Sequence, residues 1–300
     1  MKSEEFKKYS IVVSCFSRAE LLDTCLNSIT LCADFEDYNL IVLHQMGHDA
    51  VAHVIESYSD RIDATLVVNS QISTPIGNIN WNRFATYKIA FDLYDSEFVL
   101  GIEEDIEIAS DSLSFLKIVH KRYGNDRSFR GVNLGSIAIN GNSSEYNLLR
   151  YGLHGQAGTI TRDTWQALPL SVIEKNLFDF PLDSMFEAYL KTGFMVTPLR
   201  SKYLDRGWGG THAPKDSSDK HYLNVQESFI NGENDDYTLT RSAPNPSWRY
   251  DCAIYRKSHN PFYWVVYQIS LVGLRTKVEF ILKVSSRLSN LFQKKFQSPT

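Results

Sequence analysis

The feature that most constrains this chain is an alternation of short apolar runs with amphipathic stretches across its first hundred residues. Residues 10–14 (Ser-Ile-Val-Val-Ser) make a β-branched run of strand type. Residues 19–31 then place Leu21, Leu22, Cys25, Leu26 and Ile29 at helical spacing. The same alternation predicts strands at 40–44 and 64–69, with a helix at 50–58 between them. A polar loop over 70–80, containing Pro75 and Gly77, leads to a helix over 81–93 and a last apolar run from Phe98 to Ile102. Such a series predicts an α/β chain built on a Rossmann-like, mostly parallel, doubly wound sheet. Right-handed crossovers bring the carboxyl ends of parallel strands to one rim. The loops after Ser14, His44, Asn69 and Ile102 are therefore expected to line one crevice, of a shape that suits a nucleotide.

The fourth apolar run delivers three acidic residues in a row, Glu103-Glu104-Asp105, followed by the alternation Ile106-Glu107-Ile108 and a helix start at Ser110 and Asp111. Carboxylates packed this tightly repel one another unless a cation or hydrogen-bond donors compensate. A hard divalent cation held through one or two carboxylates and substrate phosphates accounts for the cluster. A solvated acidic turn is the plainer alternative.

Composition narrows the classes. With 43% hydrophobic and 22% charged residues over 300 positions, and 17 Phe, 16 Tyr and 5 Trp, the chain can build a sizeable core. The net charge of −4 is unevenly spread: from Cys252 onward eight Lys/Arg face one acidic residue, leaving −11 for the rest. A nucleic-acid binder would carry its basic surface on the main domain, so that partner is not expected. Cys15, Cys25, Cys32 and Cys252 have no CxxC spacing and read as buried free thiols of a reducing compartment. Residues 1–8 lack the apolar core of a signal peptide, and the longest apolar candidate, 262–274, is too short to span a bilayer. A cytoplasmic protein is expected.

The second half is less regular. Helices are expected over 111–123, 163–168 and 181–191, the last with Pro181 in its first turn. An extended segment is expected over 131–140, a glycine-rich stretch ending as a strand over 152–161, and a strand at 194–198. Residues 203–219 read as a long binding loop with three glycines and Trp208. Two regions follow: a catalytic domain over 1–250 and a helical tail over 251–300. In the tail Phe262, Tyr267, Leu271, Leu274, Val278, Ile281, Leu288, Phe292 and Phe296 fall near one side of a helix, with Lys283, Arg287 and Lys294 opposite. A basic amphipathic helix is a membrane-surface element, which would make the protein peripheral on the inner face of the membrane. The alternative is a helix packed on the domain or on a second subunit.

The opening Ile11-Val12-Val13-Ser14-Cys15-Phe16-Ser17-Arg18-Ala19-Glu20-Leu21-Leu22 resembles the first strand and helix of nucleotide-sugar glycosyltransferases of the A-type (GT-A) fold. The acidic triplet resembles their metal-binding Asp-x-Asp motif. Residues 100–111 are similar to the Glu-Asp-Asp stretch of the N-acetylglucosaminyltransferase I-like family, with Glu104 where that family has its middle aspartate. Pro181-Leu182-Asp183-Ser184-Met185-Phe186 sits where the family carries its catalytic aspartate. The resemblance covers roughly residues 10–212. It implies that Asp105 ligates Mn²⁺ or Mg²⁺, that His212 supplies a late ligand to metal or diphosphate, and that Glu104 faces the ribose or a metal-bound water. Glu103 would meet the donor sugar hydroxyls, and Asp183 would be the general base of an inverting transfer, with Asp179 and Glu187 the neighbouring alternatives.

Ser14, Phe16, Arg18, His44 and Arg83 complete the expected donor site from the crevice loops. Arg18 and Arg83 offer guanidinium forks to the diphosphate, though Arg18 also reads as a solvated residue at a helix start. His212 reads equally as an ordinary loop histidine. His154 and Trp208 are candidates for the acceptor pocket. The expected activity is a metal-dependent glycosyltransferase acting on a glycan or lipid-linked glycan acceptor, in surface polysaccharide synthesis. A nucleotidyltransferase would have a glycine-rich basic loop after its first strand, which Cys15-Phe16-Ser17-Arg18 is not. A non-catalytic glycan- or nucleotide-binding module would have no need of the triplet.

Overall fold

The computed structural model describes residues 7–68, 75–136, 145–149, 156–177, 182, 186, 193–207, 225–232 and 240–241. The tail over 251–300 and most of the helix expected over 181–191 lie outside them. The expected alternation is what the first half builds. Strand β1 (Tyr9–Cys15) is followed by α1 (Ala19–Thr30), β2 (Tyr38–Gln45), α2 (Asp49–Ser57), β3 (Ala64–Val68), α3 (Pro75–Asp92) and β4 (Phe98–Glu103). Next come β5 (Ile106–Ile108), α4 (Ser112–Tyr123), β6 (Phe129–Val132), β7 (Glu145–Leu149), β8 (Ala157–Thr161), α5 (Arg162–Ala167) and α6 (Leu170–Lys175). Strands β9 (Phe194–Pro198), β10 (Tyr203–Asp205) and β11 (Thr240–Arg241) close the series.

The central sheet runs β3-β2-β1-β4-β8, its first four strands parallel and β8 antiparallel to β4. Successive strand residues point to opposite faces, so β1 serves two cores at once. Ile11, Val13 and Cys15 pack with Leu22, Cys25, Leu26 and Ile29 of α1 and with Val51 and Ile55 of α2. Val12, with Ile41 and Val99, faces Phe84, Tyr87 and Phe91 of α3 and Trp165 of α5. Burial on both faces explains why these strands read as unbroken apolar runs. A second sheet, β11-β7-β9-β6, extends the core through Leu148, Phe129 and Val196.

Several elements depart from expectation. Helix α3 begins at Pro75, inside the stretch read as a polar loop. Its polar Asn80 is satisfied by tertiary partners: its amide donates to the Leu177 carbonyl at 2.7 Å, and its Oδ1 accepts from the Leu182 N–H at 3.0 Å. The Ile106-Glu107-Ile108 alternation is a strand, and it pairs antiparallel with β10, the first part of the stretch expected to be loop. Strand β7 and helix α6 lie outside the expected elements. Cys15, Cys25 and Cys32 are buried and free, and burial pushes all three thiols up, as expected of inert core thiols. Among the described residues no helix is long and apolar enough to cross a membrane.

His120 of α4 gives the fold an acid sensitivity. Its ring stacks on Phe98 with centroids 3.6 Å apart, and Nε2 lies 3.0 Å from Thr159 Oγ1. Burial alone lowers its pKa to about 3. The unfolded chain, with an ordinary histidine, takes up this proton as pH falls below about 6.5, whereas the folded chain does so only near 3. Stability from this group is therefore complete above about 6.5 and falls by up to ~1.4 kcal/mol per pH unit below it. His120→Gln should flatten the drop in urea midpoint between pH 7 and pH 5. An unchanged slope in the variant would place the acid sensitivity elsewhere.

Candidate functional site

The strand order puts β1 between β2 and β4, so the chain winds one way from β1 to β2 and β3 and the other way to β4. Ligands of open α/β sheets bind at such a switch point, outside the carboxyl ends of the strands. Here the loop after β1 and the acidic turn after β4 meet. Ser14 is the register partner of Glu103. The N–H of Phe16 donates to Glu104 Oε2. Arg18 then spans two members of the triplet, its Nε 2.6 Å from Glu104 Oε1 and its Nη1 2.8 Å from Asp105 Oδ2. The Glu104 and Asp105 side chains are 4% and 11% exposed, while that of Arg18 is 44% exposed. Charge-assisted contacts of this kind are among the stronger hydrogen bonds. They explain how two adjacent carboxylates stay buried.

Glu103 lies on the other side of the strand end, with Arg83 Nη1 3.4 Å from its Oε1. Arg83 is buried on α3. His44 is buried near the end of β2, in register with Cys15 of β1, and its Nδ1 lies 3.2 Å from the Gln45 carbonyl oxygen. Phe16 is 52% exposed and meets the His48 ring edge-on, with centroids 4.6 Å apart. The structure thus brings Ser14, Phe16, Arg18, Glu104 and Asp105 together at one strand end, with Arg83 and Glu103 adjoining and His44 one strand away. Asp183, His212, Asp179, Glu187, His154 and Trp208 lie outside the described residues.

Sequence reasoning missed Asp205. Pairing of β10 with β5 sets Asp205 opposite Ile106, the residue after Asp105. Its carboxylate is buried and accepts from Gln156 Nε2 and from the Gly207 N–H, both at 2.8 Å. Burial, and then the charge on Asp105, push the Asp205 carboxyl above its ordinary value. The Arg206 N–H donates to the Asp105 carbonyl at 2.7 Å. A β-carbon at Gly207 would overlap Asp105 Oδ2 and crowd Arg18 Nη1, so glycine is what lets the chain leaving β10 pass over the acidic turn. The only trace of this arrangement in the sequence is the short run Tyr203-Leu204 ending on Asp205, two residues before Gly207.

One atom of this cluster is left over. Asp105 Oδ1 is buried and has no hydrogen-bond partner among the described residues. An unsatisfied carboxylate oxygen is costly, and an unseen ion is one of the accepted reasons for such an atom. Among the described residues no three His, Cys, Asp or Glu side chains converge to hold a metal by themselves. The donor set fits a hard cation held by one or two carboxylates with substrate oxygens completing the shell, the manner of Mg²⁺ and its relatives. It does not resemble a closed structural site.

No protein-family model matches the sequence, and no curated protein matches it. Among solved structures the chain is similar to Staphylococcus aureus TarS, in its 1–349 fragment at 14% identity and a TM-score of 0.45, over 65% of this chain and 59% of that one. The same fragment in complex with UDP matches at 16% identity and 0.48, over 65% and 59%. Its complex with UDP-GlcNAc matches at 15% identity and 0.46, over 73% and 64%. The chain spans less than two thirds of the length of these structures. At such identities and TM-scores the likeness does not speak for activity.

Proposed function

We propose that the chain is a nucleotide-sugar glycosyltransferase that uses Mn²⁺ or Mg²⁺ to pass a sugar, with inversion, to a hydroxyl of a glycan or lipid-linked glycan during surface polysaccharide assembly. The observation that carries this reading is the buried oxygen of Asp105, without a hydrogen-bond partner among the described residues, at the switch point of a doubly wound sheet. The resemblance of residues 10–22 and 100–111 to the A-type glycosyltransferases supports it independently.

Asp105, with His212, would hold the cation, which when bound acts as a Lewis acid on a leaving diphosphate. The remaining roles fall to the chain. Arg18 is half-exposed beside the triplet and meets the donor diphosphate from the β1 side. Phe16 offers an exposed ring at the same rim. Arg83 holds Glu103 toward the donor sugar from the α3 side. Asp183 takes the acceptor proton as the anomeric carbon is attacked, a role that contributes typically ~10² to 10⁴-fold. The tail over 251–300 keeps the enzyme on the inner membrane surface, where each basic residue near anionic lipid contributes ~1 kcal/mol.

The test is thermal denaturation of the full chain with a panel of nucleotide sugars, with and without Mn²⁺. A donor at a hundred times its dissociation constant adds about 2.7 kcal/mol of stability, a rise of several degrees for a domain of this size. The expected result is a rise with one donor class that depends on Mn²⁺. Stabilisation by nucleoside triphosphates alone would point to a nucleotidyltransferase, and stabilisation indifferent to Mn²⁺ to a binding module. Either would overturn the proposal.

A further inference from the structure

We infer that Arg18 is a built-in counter-cation: it occupies the acidic turn in the nucleotide-free protein, holds down its affinity for free divalent cation, and gives up Asp105 when a diphosphate arrives. This inference rests on the cation reading above and goes beyond it, because it assigns Arg18 to the acidic turn first and to the donor second.

The geometry is specific. The guanidinium presents Nε to Glu104 and Nη1 to Asp105, so one planar fork serves two carboxylates from consecutive residues. A lysine would meet the two carboxylates only as a point charge on a flexible stem, without the rigid fork of the guanidinium. Glu104 is satisfied on both oxygens, by Arg18 and by the Phe16 N–H. Among the described residues Asp105 is satisfied on one oxygen only. A cation approaching Oδ1 therefore meets a fixed positive charge on the other oxygen of the same carboxylate, and chelation through both oxygens requires Arg18 to leave. Gly207 closes the space around that pair, since even a β-carbon there would collide with Asp105 and touch Arg18.

A diphosphate changes the balance. Its oxygens match the guanidinium fork as well as carboxylates do, and the exposed part of Arg18 is free to meet them. Once Arg18 turns to phosphate, Asp105 regains both oxygens for a cation that the same phosphates help to hold. Cation and diphosphate then favour each other, and by linkage each raises the affinity of the other by the same factor.

The experiment is Mn²⁺ binding to the full chain, measured by calorimetry and by the electron paramagnetic resonance of free Mn²⁺, alone and with UDP or GDP. It is done for the wild type, Arg18→Gln and Arg18→Lys, with circular dichroism to check folding. Removing a unit charge next to the ligand should tighten Mn²⁺ binding without nucleotide at least about tenfold in Arg18→Gln. Arg18→Lys should fall between it and the wild type. In the wild type a nucleotide should tighten Mn²⁺ markedly, and in Arg18→Gln much less. A residue that merely braced the loop would weaken Mn²⁺ binding when removed, or leave it unchanged. If Arg18→Gln binds free Mn²⁺ no tighter than the wild type, while the wild type binds Mn²⁺ with nucleotide, the counter-cation role is wrong and the cation site stands. If no protein binds Mn²⁺ under any condition, the cation reading fails and takes this inference with it. Should Arg18→Gln not fold, Arg18→Met, which also removes the charge, takes its place: tighter binding than wild type supports the role, and equal or weaker binding overturns it.

Discussion

Asp105→Ala is expected to abolish sugar transfer and all Mn²⁺-dependent donor binding while leaving the protein folded. The substitution removes a buried carboxylate oxygen, Asp105 Oδ1, that has no hydrogen-bond partner among the described residues, so no internal hydrogen bond is lost at that atom. It also removes the second contact of Arg18, but the Nε contact to Glu104 remains, and the Arg18 side chain is 44% exposed. A charge with that much access to water is not stranded, so the cost in stability is small. Asp205, whose carboxyl is pushed up partly by the charge on Asp105, gains from the change. The signature is therefore a melting temperature near or above wild type without metal, together with loss of the rise that donor and Mn²⁺ produce together. A structural carboxylate behaves oppositely, losing stability and keeping its response to donor. Substantial transfer by Asp105→Ala, or by the wild type in EDTA, would remove the metal from the mechanism.

Asp183→Asn should lower kcat by at least ~10²-fold with donor affinity little changed. Asparagine keeps the size and much of the hydrogen bonding of aspartate but cannot accept the acceptor's proton. Asp183 itself lies outside the described residues, but both of its anchoring neighbours are within them. Leu182 is buried and donates its N–H to Asn80 of α3, and Phe186 is buried and sits edge-on to Tyr87 and Trp165. These contacts tie Leu182 and Phe186 to α3, which also carries Arg83, and Phe186 to Trp165 of α5. Asparagine at 183 is nearly isosteric with aspartate and changes neither Leu182 nor Phe186, so the fold should persist. Single-turnover rates with saturating donor separate the chemical step from binding. If Asp179→Asn or Glu187→Gln produces the large loss instead, the base is one of those residues.

How much of this was readable beforehand depends on the distance over which each feature is decided. Strand β9 falls on residues 194–198 as expected, and β1 to β4 and α1, α2 and α4 lie within a few residues of expectation, because apolar periodicity is a local signal. The acidic triplet is equally local, and its place at the end of β4 follows from the run before it. Helix α3 begins six residues early because the polar Asn80 is satisfied by Leu177 and Leu182, about a hundred residues along the chain.

The larger differences have the same origin. Strands β5 and β10 have three residues each and pair across nearly a hundred, too short for a period and too far apart for a local rule. That pairing alone brings Asp205 and Gly207 to the acidic turn. Arg18 shows the division within a single side chain. From the sequence it is a guanidinium at a helix start, suited to a diphosphate or to water. Only the placing of β1 beside β4 sets Glu104 and Asp105 within 2.6 and 2.8 Å of it. The sequence alone determined the order of strands and helices and which residues carry charge, because those are written in neighbouring positions. Which charges neutralise each other, and which carboxylate oxygen is left over, was decided only when the sheet closed, because those contacts join residues that the chain keeps far apart.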